Sequence, residues 1–232
     1  MKFSLIIPCY NEAKNIPLLL EACRGLLQKE NVEVILVDNG SSDESPRLLN
    51  ELIPLYPRCI TVRVDLNKGY GHGIVCGLRS ATGDIIGWTH ADMQTNPKDL
   101  IKGIQLFEQH GSNIFVKGRR YGRPIGDNIF TALMSIFETC LLMKPLWDIN
   151  AQPTIFSKKF FQSWVDVPDD FSLDLFAYYE AKKQNIPIYR FPVNFGKRAY
   201  GVSHWNINWK AKWRFIVRTI LFSFKLKTRI SK

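Results

Sequence analysis

The pentapeptide HADMQ, residues 90–94, closes the apolar run DIIGWT and sets a carboxylate, Asp92, two positions before an amide, Gln94. Side chains at i and i+2 of an extended chain share a face, so both can offer oxygen to one point beyond the strand. A hard cation such as Mg²⁺ takes one or two carboxylates and completes its shell with substrate phosphates. The same residues also read as a strand end running into a turn that Asp92 caps. Polar clusters of comparable type recur along the chain: PCYNE at 8–12, DNGSSD at 38–43 and GRRYGR at 118–123.

The elements that must position these groups follow from hydrophobic period. FSLII (3–7), VEVILV (32–37), CITVRV (59–64), DIIGWTH (84–90) and NIFVKG (113–118) read as strands. Between them KNIPLLLEACRGLLQKE, DESPRLLNELIPLY, GYGHGIVCGLRSA and PKDLIKGIQLFEQH carry helical spacing or capping signals. Ser41 and Ser42 are expected to cap the second of these helices, and Pro97 fits the first turn of the fourth. Strands alternating with helices predict an α/β fold with a mostly parallel central sheet and helices on both faces. Such sheets bind ligands beyond the carboxyl ends of their strands. The four polar clusters follow the first, second, fourth and fifth strands, so they meet on one edge.

The composition, 46% hydrophobic and 22% charged over 232 residues, is that of a globular chain with one substantial core. The five cysteines are odd in number, scattered and without metal-ligand spacing, which predicts reduced thiols in a cytosolic setting. MKFSLIIPCYNE has only a seven-residue apolar run, so no signal peptide is expected. No uninterrupted apolar stretch reaches about 18 residues, so no bilayer-spanning helix is expected. Charge is unevenly placed: no Asp or Glu follows Glu180, and the last 52 residues carry +13 while the first 180 carry −3. A basic end behind a near-neutral domain suggests an anionic partner, lipid or nucleic acid.

Residues 128–143, NIFTALMSIFETCLLM, place Asn128, Thr131, Ser135 and Glu138 on a narrow polar stripe of an otherwise apolar helix. Sixteen helical residues cover about 24 Å, enough to lie in a membrane face and too few to cross it; a buried core helix has the same pattern. IPIYRFPVNF (186–195) reads as an edge strand because of its two prolines. Towards the end Trp205, Trp209 and Trp213 continue to Ile216, Ile220 and Phe224, beside a stripe of Lys210, Arg214 and Arg218. That pattern fits an interfacial helix on anionic lipid, a helix packed on the domain, or a nucleic-acid contact. The expected division is a domain at 1–205 and a basic amphipathic helix at 206–232.

PCYNE, VDNGSSDES, NKGYGHG and HADMQ, in this order and at this spacing, resemble the family 2 glycosyltransferases with the GT-A (Rossmann-like) fold, and within them the dolichyl-phosphate mannose synthase branch. The resemblance covers residues 3 to about 205. It implies that Pro8, Tyr10, Asn11 and Glu12 line the base and ribose, that Asp38 hydrogen-bonds the nucleoside, and that Gly69 opens a glycine-rich turn into a helix. Asn39 stands where the family commonly has a second acid. HADMQ matches the family's usual DADxQ: Asp92 would carry a Mg²⁺ or Mn²⁺ ion with Gln94 assisting, while His90, in place of the first acid and next to Ala91, would contact ribose or sugar. Arg119 and Arg123 have no family counterpart and are expected to be solvated, whereas Arg120 in GRRY maps onto the family's arginine and suits a phosphate. DINAQPTIF (148–156) keeps Asp148 of a D-x-x-S-G-F segment and departs at Asn150, Gln152 and Pro153. FPVNFGKRAYGVSHW resembles a closing segment in which Arg198 reaches phosphate and Gly201 and Ser203 shape a loop.

The resemblance implies inverting transfer of a sugar from a nucleotide diphosphate sugar, GDP- or UDP-linked, to a polyprenyl phosphate, by a peripheral enzyme at the cytoplasmic face of a membrane. A sugar-hydroxyl acceptor would instead need a carboxylate base, for which Asp174 in FSLDLF is the candidate. Catalysis would then rest on Asp92, Arg120, Arg198 and Asp174. A basic nucleic-acid-binding protein is the reading from a different class, disfavoured by these motifs. The donor sugar and the oligomeric state stay open.

Overall fold

The computed structural model describes residues 1–201 and 209–228. In chain order the elements are β1 (Phe3–Cys9), α1 (Ile16–Leu27), β2 (Val32–Asn39), α2 (Ser45–Leu52), β3 (Cys59–Val64), α3 (Tyr70–Ser80), β4 (Ile85–Trp88), α4 (Leu100–His110), β5 (Phe115–Tyr121), α5 (Ile125–Leu142), β6 (Thr154–Ser157), α6 (Lys158–Gln162), α7 (Leu173–Lys183), β7 (Ile188–Asn194) and α8 (Trp209–Thr228). Short 3₁₀ turns follow α2 and precede α4.

The seven strands form one sheet in the order β3-β2-β1-β4-β6-β5-β7. All pairs are parallel except those of β6, which runs antiparallel to both β4 and β5. β1 and β2 are central strands whose residues are almost all buried, as expected where helices cover both faces. Along β1, Phe3, Leu5 and Ile7 join the core beneath α1 and α4, while Ile6 joins the opposite core with Ile35, Val37 and Trp88. α1 fits its face because Ile16, Leu19, Leu20, Cys23, Leu26 and Leu27 recur at helical spacing and are buried. β7 forms the sheet edge, where Pro192 costs no ladder hydrogen bond.

Several expectations need correction. β1, β2 and β5 run on to Cys9, Asn39 and Tyr121, so part of each polar cluster lies within its strand. β6, inside DINAQPTIF, was not legible as a strand because four residues are too few to show a period. Ser41 and Ser42 do not cap α2. Its N-cap is Glu44, and Asp43 accepts the Ser45 amide at 2.9 Å, while Ser41 Oγ accepts the amide of Asn11 at 3.0 Å. Arg123 is half-buried, donates to Thr131 Oγ1 at 2.8 Å and lies 5.4 Å from the Phe195 ring; it is not solvated, whereas Arg119 is.

The largest correction concerns α5. The helix begins at Ile125, and with 18 residues it is long and apolar enough, by length and composition, to cross a membrane. It is not a core helix. Ile125 (78% exposed), Ile129, Leu133 (62%) and Ile136 face outward, and Ser135 and Glu138 of the polar stripe are the parts that are buried. Ser135 Oγ accepts the Asp148 amide at 3.1 Å, Thr139 Oγ1 accepts the Leu146 amide at 3.0 Å, and Glu138 accepts the Ser223 hydroxyl of α8 at 2.7 Å. The polar side thus holds the helix lengthwise to the domain.

α8 is fixed beside it. Leu226 is buried in the core that holds Trp88 and Phe176, and Arg218 lies 3.5 Å from Asp170. Trp213, Leu221 and Phe224 face outward with Lys210 and Arg214. Ser203 and Trp205 lie outside the described residues, as does the side chain of Trp209.

Candidate active site

The polar strand ends meet as the topology requires. After β1 the chain turns through Asn11, held at φ 55°, whose side-chain oxygen accepts the Ser42 amide at 2.9 Å. Glu12 N–H donates to Ser45 Oγ at 2.9 Å and Ala13 N–H to Asp43 at 3.2 Å, so the loops after β1 and β2 are laced together. Asp38, buried at the end of β2, accepts the Ser41 amide at 2.9 Å and pairs with Arg63. Asn39 donates to the carbonyl of Gly69 at 2.9 Å. Gly69 is required there: its φ is +130°, and a Cβ would strike the carbonyl of Asp169. Tyr10 is exposed at the mouth, and Pro8 sits beside Val37 in the sheet.

The HADMQ segment closes on itself in an Asx turn, with Asp92 Oδ1 accepting the Gln94 amide at 3.0 Å and Met93 at φ 60°. The other oxygen of Asp92 meets Arg198 at 2.9 Å. Gln94 exchanges bonds with the 196 loop: Gly196 N–H donates to its carbonyl at 2.8 Å, and its amide nitrogen donates to Gly196 O at 3.1 Å. Glu12 stands close by, bonded to the Asn15 side chain. Partial burial, with the negative charge of Asp92 adding to it, pushes the Glu12 carboxyl above its ordinary range against the opposing Asn15 bond and Arg198 charge. A carboxyl raised in part by a neighbouring carboxylate suits a place where a divalent cation balances the charge. Among the described residues no cluster of three or more His, Cys, Asp or Glu is spaced to hold a metal by itself. The donor set of Asp92 and Gln94 fits a cation whose remaining ligands come from phosphate oxygens.

His90 and Ala91 lie beneath this loop. Burial holds His90 below its ordinary range, against the pull of Asp92 and Asp174, so the ring is neutral at pH 7. Its neighbour Tyr70, 5.7 Å away between ring centres, stacks on Phe171 at 4.6 Å. Asp174 is not at the surface. It is buried on α7, accepts from Gln152 Nε2 at 2.6 Å and lies 3.8 Å from Lys117 Nζ, itself fully buried. Burial raises the Asp174 carboxyl in spite of Lys117, and burial lowers the Lys117 ammonium to about 7 in spite of Asp174.

Arg120 lies on β5 with a partner the sequence did not assign to it: Asp148 accepts its Nε at 2.8 Å and its amide at 3.0 Å. Burial works to raise the Asp148 carboxyl, but Arg120 and Arg190 hold it below its ordinary value. The Arg120 guanidinium also lies 5.3 Å from the Phe195 ring.

The predicted residues therefore fall into three linked groups: Asp38, Asn39 and Gly69 with the PCYNE loop; Glu12, His90, Asp92, Gln94 and Arg198; and Arg120 with Asp148. Asp174 lies behind them with Lys117, Gln152 and Tyr70. Sequence reasoning missed Lys117, Tyr70 and Phe171. A lysine that alternates onto the same side of β5 as Phe115 was the available signal for the first.

A family model described as Glycosyl transferase family 2 matches residues 4–168. The chain belongs to that family. Within this glycosyltransferase family it is 38% identical over 149 residues to an undecaprenyl-phosphate 4-deoxy-4-formamido-L-arabinose transferase of Photorhabdus laumondii, covering 62% of this chain and 44% of that protein. It is 35% identical over 121 residues to a dolichol-phosphate mannosyltransferase of Pyrococcus furiosus, covering 52% of this chain and 34% of that one. The chain thus spans less than half the length of these curated relatives. Among solved structures, glucosyl-3-phosphoglycerate synthase from Mycobacterium tuberculosis, in complex with Mn²⁺, UDP and glucosyl-3-phosphoglycerate, superposes with a TM-score of 0.69 at 20% identity, over 96% of this chain and 79% of that one. Staphylococcus aureus TarS 1–349 gives 0.56 at 21%, over 86% and 59%. These neighbours establish the GT-A fold of this family 2 glycosyltransferase.

Proposed function

We propose that this chain is an inverting glycosyltransferase that moves a sugar from a nucleotide diphosphate donor to a polyprenyl phosphate at the cytoplasmic face of a membrane. The observation that carries the reading is α5: directly after the strand that holds Arg120, a helix turns Ser135 and Glu138 of its polar stripe inward and Ile125, Ile129, Leu133 and Ile136 to the outside. α8 adds outward Trp213, Leu221 and Phe224 beside Lys210 and Arg214. An apolar surface bordered by cations suits the boundary of an anionic leaflet. Relatives named as polyprenyl-phosphate transferases support the same acceptor class.

Pro8, Tyr10, Asn11, Glu12, Asp38 and Asn39 hold the nucleoside, since carboxylates and amides suit ribose hydroxyls and base N–H groups. Gly69 lets the chain pass close to Asp169 and so shapes the turn beside Asn39. A Mg²⁺ or Mn²⁺ ion, held by Asp92 with Gln94 assisting, would supply Lewis-acid stabilisation of the departing diphosphate. Arg198, now paired with Asp92, is positioned to turn to the diphosphate charge, and neutral His90 can hydrogen-bond ribose or sugar. Arg120, oriented by Asp148, faces the acceptor anion. A phosphate acceptor with a second pKa near 6 is ionised at pH 7 and needs no base, which agrees with the buried, paired state of Asp174. In the rival reading, a saccharide-extending transferase, Asp174→Asn abolishes transfer; in this one the conservative amide leaves transfer to phosphate in place.

Thermal shift with UDP, GDP and CMP, each with and without Mn²⁺, tests the donor half. A ligand at about 100 times its dissociation constant stabilises the fold by about 2.7 kcal/mol, a shift of several degrees for a domain of this size. One nucleotide should give a metal-dependent shift that Asp92→Asn loses. No shift with any nucleotide would remove the donor site assigned here.

A further inference from the structure

Between α5, the start of α7 and α8 lies a cleft of about 480 Å³, counted to its open mouth. Phe130, Met134, Ile149 and Leu175 give it apolar walls, and Arg120 and Glu138 are the two lining residues that carry charge. Arg120, assigned above to the acceptor phosphate, and Thr219 of α8 both line it, so the cleft joins that group to α8. Glu138 is 0% exposed: its Oε1 accepts the Ser223 hydroxyl at 2.7 Å, and its Oε2 is a buried oxygen without a hydrogen-bond partner. An ionised carboxylate there, with one neutral donor, is costly, and burial pushes the group up to about 7 although the Ser223 bond opposes this.

We propose that this cleft receives the first isoprene units of the acceptor and that Glu138 accommodates them in its protonated form, so that acceptor binding takes up a proton. The inference rests on the polyprenyl phosphate reading above. Glu138 lies in the cleft wall without touching solvent itself, and an isoprene chain that displaces the water of the cleft lowers the polarity around the unpartnered oxygen and favours the neutral acid. Ser223 of α8 is the group bonded to Glu138, and Thr219 of α8, Ser172 before α7 and Arg120 of β5 share the cleft lining with it. Arg218 of α8 is engaged with Asp170. Arg120 is held by Asp148, so no cation is free to balance the charge among the described lining residues.

The test is the KM for a polyprenyl phosphate from about pH 6 to about pH 8.5 in wild type, Glu138→Gln and Ser223→Ala, with melting curves to verify folding. Single-proton linkage raises the wild-type KM by up to about tenfold per pH unit above the titration of Glu138. The Glu138→Gln profile stays flat by comparison. Ser223→Ala moves the rise to higher pH, because the carboxylate has lost its donor; a merely structural role for Ser223 would not shift a pH profile. Ionisation of the acceptor phosphate acts alike on all three and cancels in their ratios. Transfer with the same profile in all three proteins overturns the role of Glu138 alone, and if Glu138→Gln does not fold, the Ser223→Ala shift decides. Absence of lipid product in every protein overturns the acceptor reading, and this inference with it.

Discussion

The half of the sheet built on β1 to β4 and the half built on β5 with α5 and α8 divide polarity in opposite senses. In the first, strands and helices bury their apolar faces, and the polar groups sit at strand ends, bonded to one another across loops: Asn11 with Ser41 and Ser42, Asp38 with Ser41 and Arg63, Asp92 with Gln94 and Arg198. Water is the expected neighbour of such a surface. In the second, Ser135, Glu138 and Ser223 are buried while Ile125, Ile129, Leu133 and Trp213 are exposed. A contiguous outward apolar surface marks an interaction site and not ordinary solvent exposure. In the function proposed above, one domain thus presents a water-facing site for the donor beside a surface suited to a lipid acceptor.

The sharpest way to break this comparison is Asp92→Asn. It should lower kcat by roughly 10²- to 10³-fold, with vesicle binding retained; a loss of vesicle binding would mean that the two halves are not separable. Lys117→Met probes the seam between them. Because Lys117 lies 3.8 Å from buried Asp174, removing it leaves an uncompensated buried carboxylate and should cost about 3–5 kcal/mol in denaturant unfolding. A paired test sharpens the contrast of surfaces. Leu5→Ala, in the central strand, should cost about 2–5 kcal/mol, and Leu133→Ala less than about 0.5 kcal/mol, while Leu133→Lys should weaken vesicle binding with nucleotide shifts preserved. Equal costs for the two alanine variants would mean that α5 is covered by protein. An effect milder than that of Leu5→Ala is expected on pH. The Glu138 carboxyl is raised from 4.5 to about 7, so the folded protein holds a proton that the unfolded chain releases in that window. Its contribution, roughly 1–3 kcal/mol, is present below 4.5 and lost as pH rises through about 7. Glu138→Gln should flatten this part of the stability curve.

Much of the water-facing half was legible in the sequence. Alternating strands and helices with polar ends placed Asp38, Asp92 and Gly69 on one edge, because a parallel sheet leaves few other arrangements. The half with α5 and α8 was less legible. NIFTALMSIFETCLLM shows where its polar stripe is, but period alone does not say which side meets the protein, and only the contacts of Ser135 and Glu138 with Asp148 and Ser223 do. The antiparallel β6 was too short to show a period, and the pairing of Arg120 with Asp148 joins positions whose proximity depends on that strand. Lys117 was hidden because one lysine in an apolar strand reads as an exposed position, whereas here Asp174, Thr154 and the Ala151 carbonyl hold it inside.

The most direct test is transfer itself. Wild type and Asp92→Asn are incubated with Mn²⁺, a panel of labelled GDP- and UDP-sugars, and undecaprenyl phosphate in anionic vesicles, and the lipid is extracted. One donor should place label in an acid-labile glycosyl phosphate lipid, and Asp92→Asn should not. Label appearing only in a sugar-hydroxyl product, with Asp174→Asn abolishing it, would contradict the account.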